Sequence, residues 1–321
     1  MDSSNYMKSI DSLNIAITGA RGYVGSAISK YFQAHNTYDN DKYLKIEVLE
    51  LSRPRFSLAD TTDYSFLENI DVLVHCAYDF DQICWEDIVK INVEGSIRLL
   101  QAAHQKGIKI IFISTLSAFP GCVSKYGKAK LLIEEAALPL GAMIIRPGLV
   151  YDEKPRGMVG AMLAIAKISP LLPVLNGGQQ MLYFCHVEDL AAMAYAFSTR
   201  ELNKRISNRK ESSTKEDMPL APPVALSVAL YYTAASEQGL SFREFFNKLA
   251  ALKEKKVLFL PLPSIIPLSM LKLIESLGFK FRIKSDSLIS FMNLNPSVDF
   301  SSTRKTGCAF RELDLKTLRK A

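Results

Sequence analysis

The 321-residue sequence predicts an α/β protein, a doubly wound parallel sheet followed by a smaller C-terminal lobe. Three observations predict it. Short, nearly continuous apolar runs alternate with helical stretches up to about Val150, as strands covered by helices on both faces require. A glycine-rich turn joins the first strand to the first helix. After Val150 the rhythm changes, with prolines and glycines clustered from Pro155 to Gly178, and the chain is long for one hydrophobic core.

The elements follow in order. Asn14–Thr18 reads as a strand, Gly25–Gln33 as a helix and Lys45–Leu51 as a second strand. Asp71–Cys76 is a further strand, and a helix is expected over about Trp85–Lys106. Lys109–Ser114 is a strand, Gly127–Ala137 a helix, and Ala142–Arg146 closes the series. Met181–Val187 is expected to return as a strand toward this first domain, with a helix over Asp189–Ser198. Residues 201–223 are polar and charged and read as an exposed loop. Ala225–Thr233 is strand-like, and Ser241 with Glu244 has the spacing of a capping box. Residues 1–150, with a return segment at about 181–198, are therefore assigned to the sheet domain. Residues 151–180 and 199–321 are assigned to a substrate lobe.

Composition excludes several classes. The net charge of +6 is mild and dispersed apart from Arg205–Lys210, which does not suit a nucleic-acid face. The five cysteines form no C-x-x-C pair and the four histidines have no ligand spacing, so neither a disulfide framework nor a metal site is expected. Free thiols fit a reducing compartment, and the cytoplasm is the expected location. Val257–Leu271 is the most apolar stretch, but Pro261, Pro263 and Pro267 interrupt it. It falls short of the roughly 20 residues that span a bilayer, so no stable membrane insertion is expected.

Thr18-Gly-Ala-Arg-Gly-Tyr-Val-Gly25 carries the most chemistry. Gly19 can take a tight turn, Gly22 admits a close pyrophosphate, and Gly25 lets the helix approach the sheet. Arg21, Tyr23 and Val24 complete the turn. The helix N-terminus beyond it offers unpaired N–H groups and a partial positive charge for phosphates. This is a Rossmann-type dinucleotide site. An acid at the end of the second strand would hydrogen-bond a ribose and repel a 2′-phosphate. Here Ser52 and Arg53 follow Leu51, which favours NADP(H); Glu50 leaves NAD open.

Tyr126 and Lys130 stand at i and i+4 on an expected helix and so share a face. A phenol is a poor base near neutrality, and an ammonium one turn away favours its ionised form. Tyr126 is then the expected proton donor and acceptor beside a hydride transfer. The hydroxyl-rich strand end before it offers Ser114, Thr115 and Ser117 to polarise a substrate oxygen.

Taken together, TGARGYVG at 18–25, DVLVHCA at 71–77, NVEGS at 92–96, FIST at 112–115, YGKAK at 126–130, RPGLVY at 146–151 and HVEDLA at 186–191 resemble the short-chain dehydrogenase/reductase superfamily, in its extended epimerase/dehydratase-like branch. The resemblance covers about residues 12–200. It implies that Cys76 and Ala77 line the cofactor, that Ser57 and Leu58 meet adenine where an aspartate is usual at the first position, and that Asn92 braces the central helix. It implies that Pro147 to Leu149 pass near the nicotinamide and that Thr115, or else Ser117, holds the substrate oxygen. His186 and Asp189 are expected to brace the lobe. An arginine common near Asn176–Leu182 in nucleotide-sugar members is replaced by NGGQQML, and about nine residues around His35–Tyr43 are extra.

These readings converge on an NADP(H)-dependent oxidoreductase or epimerase acting at an alcohol or ketone carbon. The small-molecule substrate is first a nucleotide-linked sugar and second an apolar ketone. The resemblance also admits a homodimer. The rival readings are a non-catalytic dinucleotide-binding sensor or structural protein, and a peripheral membrane protein using residues 257–279.

Overall fold

In the computed structural model, described for residues 10–35, 37–39, 42–168, 171–174, 176–212, 231–252, 257–261, 269, 284–316 and 318, the strand–helix alternation builds one large sheet. Its first part runs β1 (Ile10–Thr18), α1 (Tyr23–Ala34), β2 (Thr37–Asp39), β3 (Lys42–Leu51) and β4 (Val72–His75). A long helical stretch follows, made of α2 (Trp85–Asp87), a π-helical turn over Ile88–Val93 and α3 (Glu94–Gln105). Then come β5 (Lys109–Ile113), α4 (Lys125–Ala137), β6 (Met143–Pro147), β7 (Leu149–Tyr151), α5 (Gly157–Ile168) and β8 (Leu171–Val174). The rest comprises β9 (Met181–Leu182), β10 (Phe184–His186), α6 (Val187–Ser212), β11 (Tyr231–Ala234), β12 (Leu240–Ser241), α7 (Phe242–Ala251), β13 (Leu258–Pro261), α8 (Ser285–Met292) and α9 (Ser301–Arg304).

The sheet order is β11-β6-β5-β4-β1-β3-β2. Its first six strands are parallel, and β2 pairs antiparallel with β3 at the far edge. The extra residues near His35 thus form a hairpin that lengthens the sheet. The two-residue side-chain period divides each strand between two cores. Ile15, Ile17, Val72, Val74, Ile111, Ile113 and Ile145 pack beneath α1 and α6. Ala16, Leu73, Ile110, Phe112 and Ile144 pack beneath α3 and α4. Each fully buried Ile or Phe among them stabilises by about 1.5–3 kcal/mol. This is why the strands read as unbroken apolar runs.

Three sequence expectations change here. Residues 201–212 are not loop; α6 continues through them to Ser212, and residues 213–223 lie outside the described residues. Helix is the outcome because Glu, Lys, Arg and Leu are good helix formers whatever their polarity. The strand over Tyr231–Ala234, in a stretch assigned to the lobe, pairs with β6 in the main sheet; residues 225–230 lie outside the described residues. The returning strand is split at Tyr183, with β10 parallel to β7 and β9 antiparallel to β12.

The lobe has its own core of Phe184, Phe242, Phe245, Phe246, Phe291 and neighbours. The expected capping box holds, with Ser241 Oγ accepting from Glu244 N–H and Glu244 accepting from Ser241 N–H. Among the described residues no helix is long and apolar enough to cross a membrane. Leu258–Pro261, at the start of the apolar stretch, is a strand paired with β8, and residues 262–268 and 270–271 lie outside the described residues.

Candidate active site

The glycine turn sits where β1 ends between β3 and β4. Gly19 has φ +68°, and a Cβ on it would lie 3.0 Å from the backbone of Ala77. Its N–H donates to the Leu51 carbonyl at 2.8 Å. A Cβ on Gly25 would lie 2.3 Å from the Gly19 carbonyl oxygen, so only glycine lets α1 approach this closely. No side chain caps α1, whose N-cap is Gly22. Its first-turn N–H groups have no acceptor within the helix and are available to an anion. Val24 packs against the core under α1, and the Tyr23 ring stacks under the Arg156 guanidinium at 4.5 Å, tying the turn to the lobe.

A buried hydrogen-bond chain holds the neighbouring strand end. The Thr18 hydroxyl oxygen accepts from the N–H groups of Cys76 (3.1 Å) and Ala77 (3.2 Å). Its proton is therefore directed to His75 Nδ1 at 2.6 Å, which leaves Nε2 to donate to Ser96 Oγ at 2.9 Å. Burial first, and then Lys130, push His75 down to about 3, so the ring is neutral and this tautomer is the one the chain of bonds requires. Cys76 is itself buried, which raises its thiol to about 12. Sequence reasoning found Cys76 and Ala77 but not Thr18, His75 or Ser96, whose partners are at least 21 residues away.

At the end of β3, Ser52 Oγ accepts from Arg21 N–H at 3.1 Å, and the Arg21 guanidinium donates to the Arg53 carbonyl at 3.1 Å. Arg53 pairs with Asp79 at 2.7 Å. Asp79 is held in turn by Asn92, which accepts from its N–H at 2.6 Å and donates to its carbonyl at 3.0 Å. Asn92 thus ties the loop after β4 to the π turn of the long helical stretch. Glu50 turns toward α1 and accepts from Ser29 and from Gln33 at 3.3 Å. Ser57 donates to Asp60 at 3.1 Å, which brings a carboxylate to the loop where the family has one a few positions earlier. Leu58 is buried against α3, its carbonyl accepting from Arg98.

Tyr126 and Lys130 lie on α4, begun by Ser124, whose hydroxyl accepts from Gly127 N–H at 3.1 Å. The lobe adds a second cap. Asp286 on α8 accepts from Lys125 N–H at 2.7 Å and from Tyr126 N–H at 2.9 Å. Burial pushes the Tyr126 phenol up to about 12, and its hydrogen bond with the Thr115 hydroxyl draws it partly back. Thr115 Oγ1 also accepts from Ser117 N–H at 3.2 Å, while Ser117 Oγ bonds Ser290 Oγ of the lobe at 2.9 Å. Of the two hydroxyls left open by the sequence, Ser117 is engaged by the lobe, while Thr115 is the one that acts on the Tyr126 phenol.

Lys130 is 2% exposed. Its Nζ donates to the Ile113 carbonyl at 2.9 Å and lies over the rings of Phe112 (4.6 Å) and Tyr78 (5.4 Å). Burial pushes it down to about 8, against the pull of Cys76 and Glu134. Tyr78 also meets the Tyr126 ring edge-on at 5.0 Å, so it lies between the two groups. In this arrangement burial dominates both groups. Pro147 and Leu149 join Thr115 in one open cleft, walled on the lobe side by Met181, Leu294 and Val298. Pro147 accepts from Leu116 N–H at 3.0 Å, which fastens the two strand ends together.

His186 and Asp189 stay outside this cleft. Asp189 accepts from Arg311 N–H and Nε, each at 2.9 Å, and His186 Nδ1 accepts from Glu188 N–H at 3.3 Å. Asp189 thereby braces the C-terminal tail.

The model of the NAD dependent epimerase/dehydratase family matches residues 15–208. A ceramide reductase from Caulobacter vibrioides is 27% identical over 198 residues, covering 57% of this chain and 60% of that protein. Methionine adenosyltransferase 2 subunit beta from Bos taurus is 26% identical over 220 residues, covering 60% of this chain and 64% of that protein. In both cases the match spans less than two thirds of the relative's length. Among solved structures, a human epimerase family protein with NADPH has TM-score 0.64 at 16% identity, covering 96% of this chain and 98% of that one. A dTDP-4-dehydrorhamnose reductase from Clostridium acetobutylicum has TM-score 0.54 at 20% identity, covering 87% and 97%. These structural likenesses speak to the fold.

Proposed function

Because the chain belongs to the NAD dependent epimerase/dehydratase family, we propose that it is an oxidoreductase acting at an alcohol or ketone carbon, with Thr115, Tyr126 and Lys130 as its reacting and orienting groups. The observation that carries this reading is Thr115 in the cleft wall, with Tyr126 on the first turn of α4 and Lys130 buried one turn further along.

A nicotinamide dinucleotide fits the chain's own residues. The bare N-terminus of α1, the close Gly19–Ala77 approach and the Gly25 packing form a cradle that side chains would fill. Gly19, Gly22, Tyr23, Val24 and Gly25 are assigned to the pyrophosphate end. Cys76, Ala77, Pro147 and Leu149 are assigned to the inner end, and Ser57 and Leu58 to the adenine. When bound, the dinucleotide supplies or takes the hydride. Tyr126 gives a proton to a ketone oxygen, or removes one from an alcohol. Thr115 holds that oxygen in the approach direction. Lys130, with its ammonium held by Ile113, stabilises negative charge on the phenol as the proton leaves.

NADP(H) is favoured over NAD(H). Arg21 and Arg53 stand at the end of β3, while Glu50 is engaged by Ser29 and Gln33. A 2′-phosphate would compete with Asp79 for Arg53, at a gain of about 1.5–3 kcal/mol per charged hydrogen bond. The substrate class is left open by the relatives, whose names include both a ceramide and a nucleotide-linked sugar reductase. A second reading, a dinucleotide-binding protein without turnover, is favoured by the relative named as a subunit of an adenosyltransferase rather than for a redox reaction.

The test is NADPH and NADH oxidation against a panel of carbonyl compounds, with wild type, Tyr126→Phe and Arg53→Ala. We expect turnover with NADPH, a loss of roughly 10²–10⁴-fold in Tyr126→Phe, and a weaker NADPH preference in Arg53→Ala. Wild-type turnover by Tyr126→Phe would overturn the mechanism. Tight NADPH binding with no turnover across the panel would favour the second reading.

A further inference from the structure

We propose that the substrate is an uncharged molecule with an extended apolar body, its carbonyl or hydroxyl at one end. This rests on the oxidoreductase reading above and specifies what enters its cleft.

The cleft concentrates polarity at one place. Its walls are largely Leu116, Leu149, Met181, Leu182, Leu294 and Val298. Of its polar groups, Ser117 is bonded to Ser290, and Asn295 accepts from Ser297 N–H at 3.0 Å. The Tyr183 ring packs against Phe300, with centroids 5.4 Å apart. Thr115 is thus the cleft's polar anchor, and the side chains that lead away from it are largely hydrocarbon. A ligand with one oxygen to place and an apolar remainder matches that distribution. A diphosphate would need cations to replace its lost hydration. Cations of the surrounding segments are engaged in other ways: Arg243 donates to the Gly177 carbonyl at 2.5 Å and lies over the Phe259 ring at 4.8 Å. Arg304 pairs with Glu237, and Lys284 donates to the Phe80 carbonyl.

A second observation points the same way. Seven large apolar side chains among the described residues are prominently exposed, and four of them gather around this site. Phe80 is 60% exposed and lies 5.6 Å from the Tyr126 ring. Ile83, 58% exposed, is fastened to α4 where its carbonyl accepts from Lys125 Nζ at 2.6 Å. Val123, 48% exposed, precedes the Ser124 cap, and Met181, 44% exposed, is itself in the cleft wall. Exposed apolar side chains on the segments that carry a site mark places where apolar matter is bound. Here they lie in the cleft wall and beside the start of α4, which suits a long chain better than a compact ketone.

The experiment uses a homologous series of neutral methyl ketones, the same ketones carrying a terminal carboxylate, and a thymidine-diphosphate-linked keto sugar. NADPH oxidation and direct binding to the NADPH complex are both measured. We expect kcat/KM and affinity to rise about fourfold for each methylene buried (~0.8 kcal/mol), then level off. The carboxylates should be worse than their neutral parents. Met181→Glu, a change at an exposed position of the cleft wall, should weaken long ketones at least tenfold more than the shortest. No length dependence in either readout, or preference for the diphosphate sugar, would overturn the proposal. If binding tightens with length but nothing is turned over, the substrate class stands and the redox reading fails. If ketones are turned over with no length dependence, the redox reading stands and the substrate class fails.

Discussion

Lys130 holds its place through two opposed effects. Taking an ammonium to 2% exposure disfavours the charge, while the Ile113 carbonyl and two ring faces supply partial compensation. Burial wins and brings the group down to about 8. The sign for activity follows. Below about pH 8 the ammonium is present one helical turn from Tyr126, across the Tyr78 ring, so kcat should hold there and fall as pH rises through 8. A kcat that stays level past pH 9.5 would remove Lys130 from the proposed mechanism. The sign for stability is the reverse. Between about 8 and 10.5 the unfolded chain binds the proton that the folded chain has lost, so stability rises with pH in that window. Urea unfolding of wild type and Lys130→Met should therefore show wild type gaining on the variant from pH 8 to 10.5. The spacing of Tyr126 and Lys130 was readable from sequence because a helix converts i and i+4 into one face. Their protonation was not, since Ile113, Cys76 and Phe112 arrive from other strands.

At the scale of elements, α4 begins under two caps, one local and one remote. Ser124 is the local one, a hydroxyl three positions before its Gly127 partner, and it starts the helix two residues earlier than the sequence predicts. Asp286 has no such signal, because 160 residues separate it from Tyr126. Its carboxylate bonds two first-turn N–H groups and sits at the positive end of the helix. Asp286→Ala should cost about 2 kcal/mol in thermal unfolding. It should also lower kcat more than it raises KM, because Tyr126 is the second residue of that helix. Asp286→Asn, which keeps an acceptor, should recover part of both. An unchanged kcat in Asp286→Ala would separate the lobe from the orientation of Tyr126. A second element-scale pair, Glu134 and Arg146, joins α4 to β6 in the interior, with Arg146 Nε donating to Glu134 at 2.9 Å and its guanidinium 4.2 Å from the Tyr231 ring centroid. Arg146→Met alone leaves the fully buried Glu134 without its cation and should cost about 3–5 kcal/mol in urea unfolding. Adding Glu134→Leu should restore much of the loss.

Across the whole molecule, the lobe is fastened to the sheet at several points, so the site is built from both. Asp286 reaches α4, Ser290 reaches Ser117, and Thr233 of the sheet donates to the Asp299 carbonyl while accepting nothing from it. The tail is closed by Arg311 on Asp189. Asp189→Ala should destabilise by about 2 kcal/mol and speed amide exchange over residues 299–316, with dinucleotide binding unchanged. Loss of dinucleotide binding would show that the tail also shapes the glycine turn. The sequence by itself determined the parallel sheet, the glycine turn and the Tyr–Lys face, because each depends on a local period: two for strands, 3.6 for helices, three glycines in one turn. Only the tertiary structure decided that Arg53 meets Asp79, that Thr18, His75 and Ser96 form one chain, that β11 joins the sheet, and that a lobe carboxylate caps the helix carrying Tyr126. Those contacts join residues that no local period relates, and they exist only once burial has brought distant segments to hydrogen-bond distance.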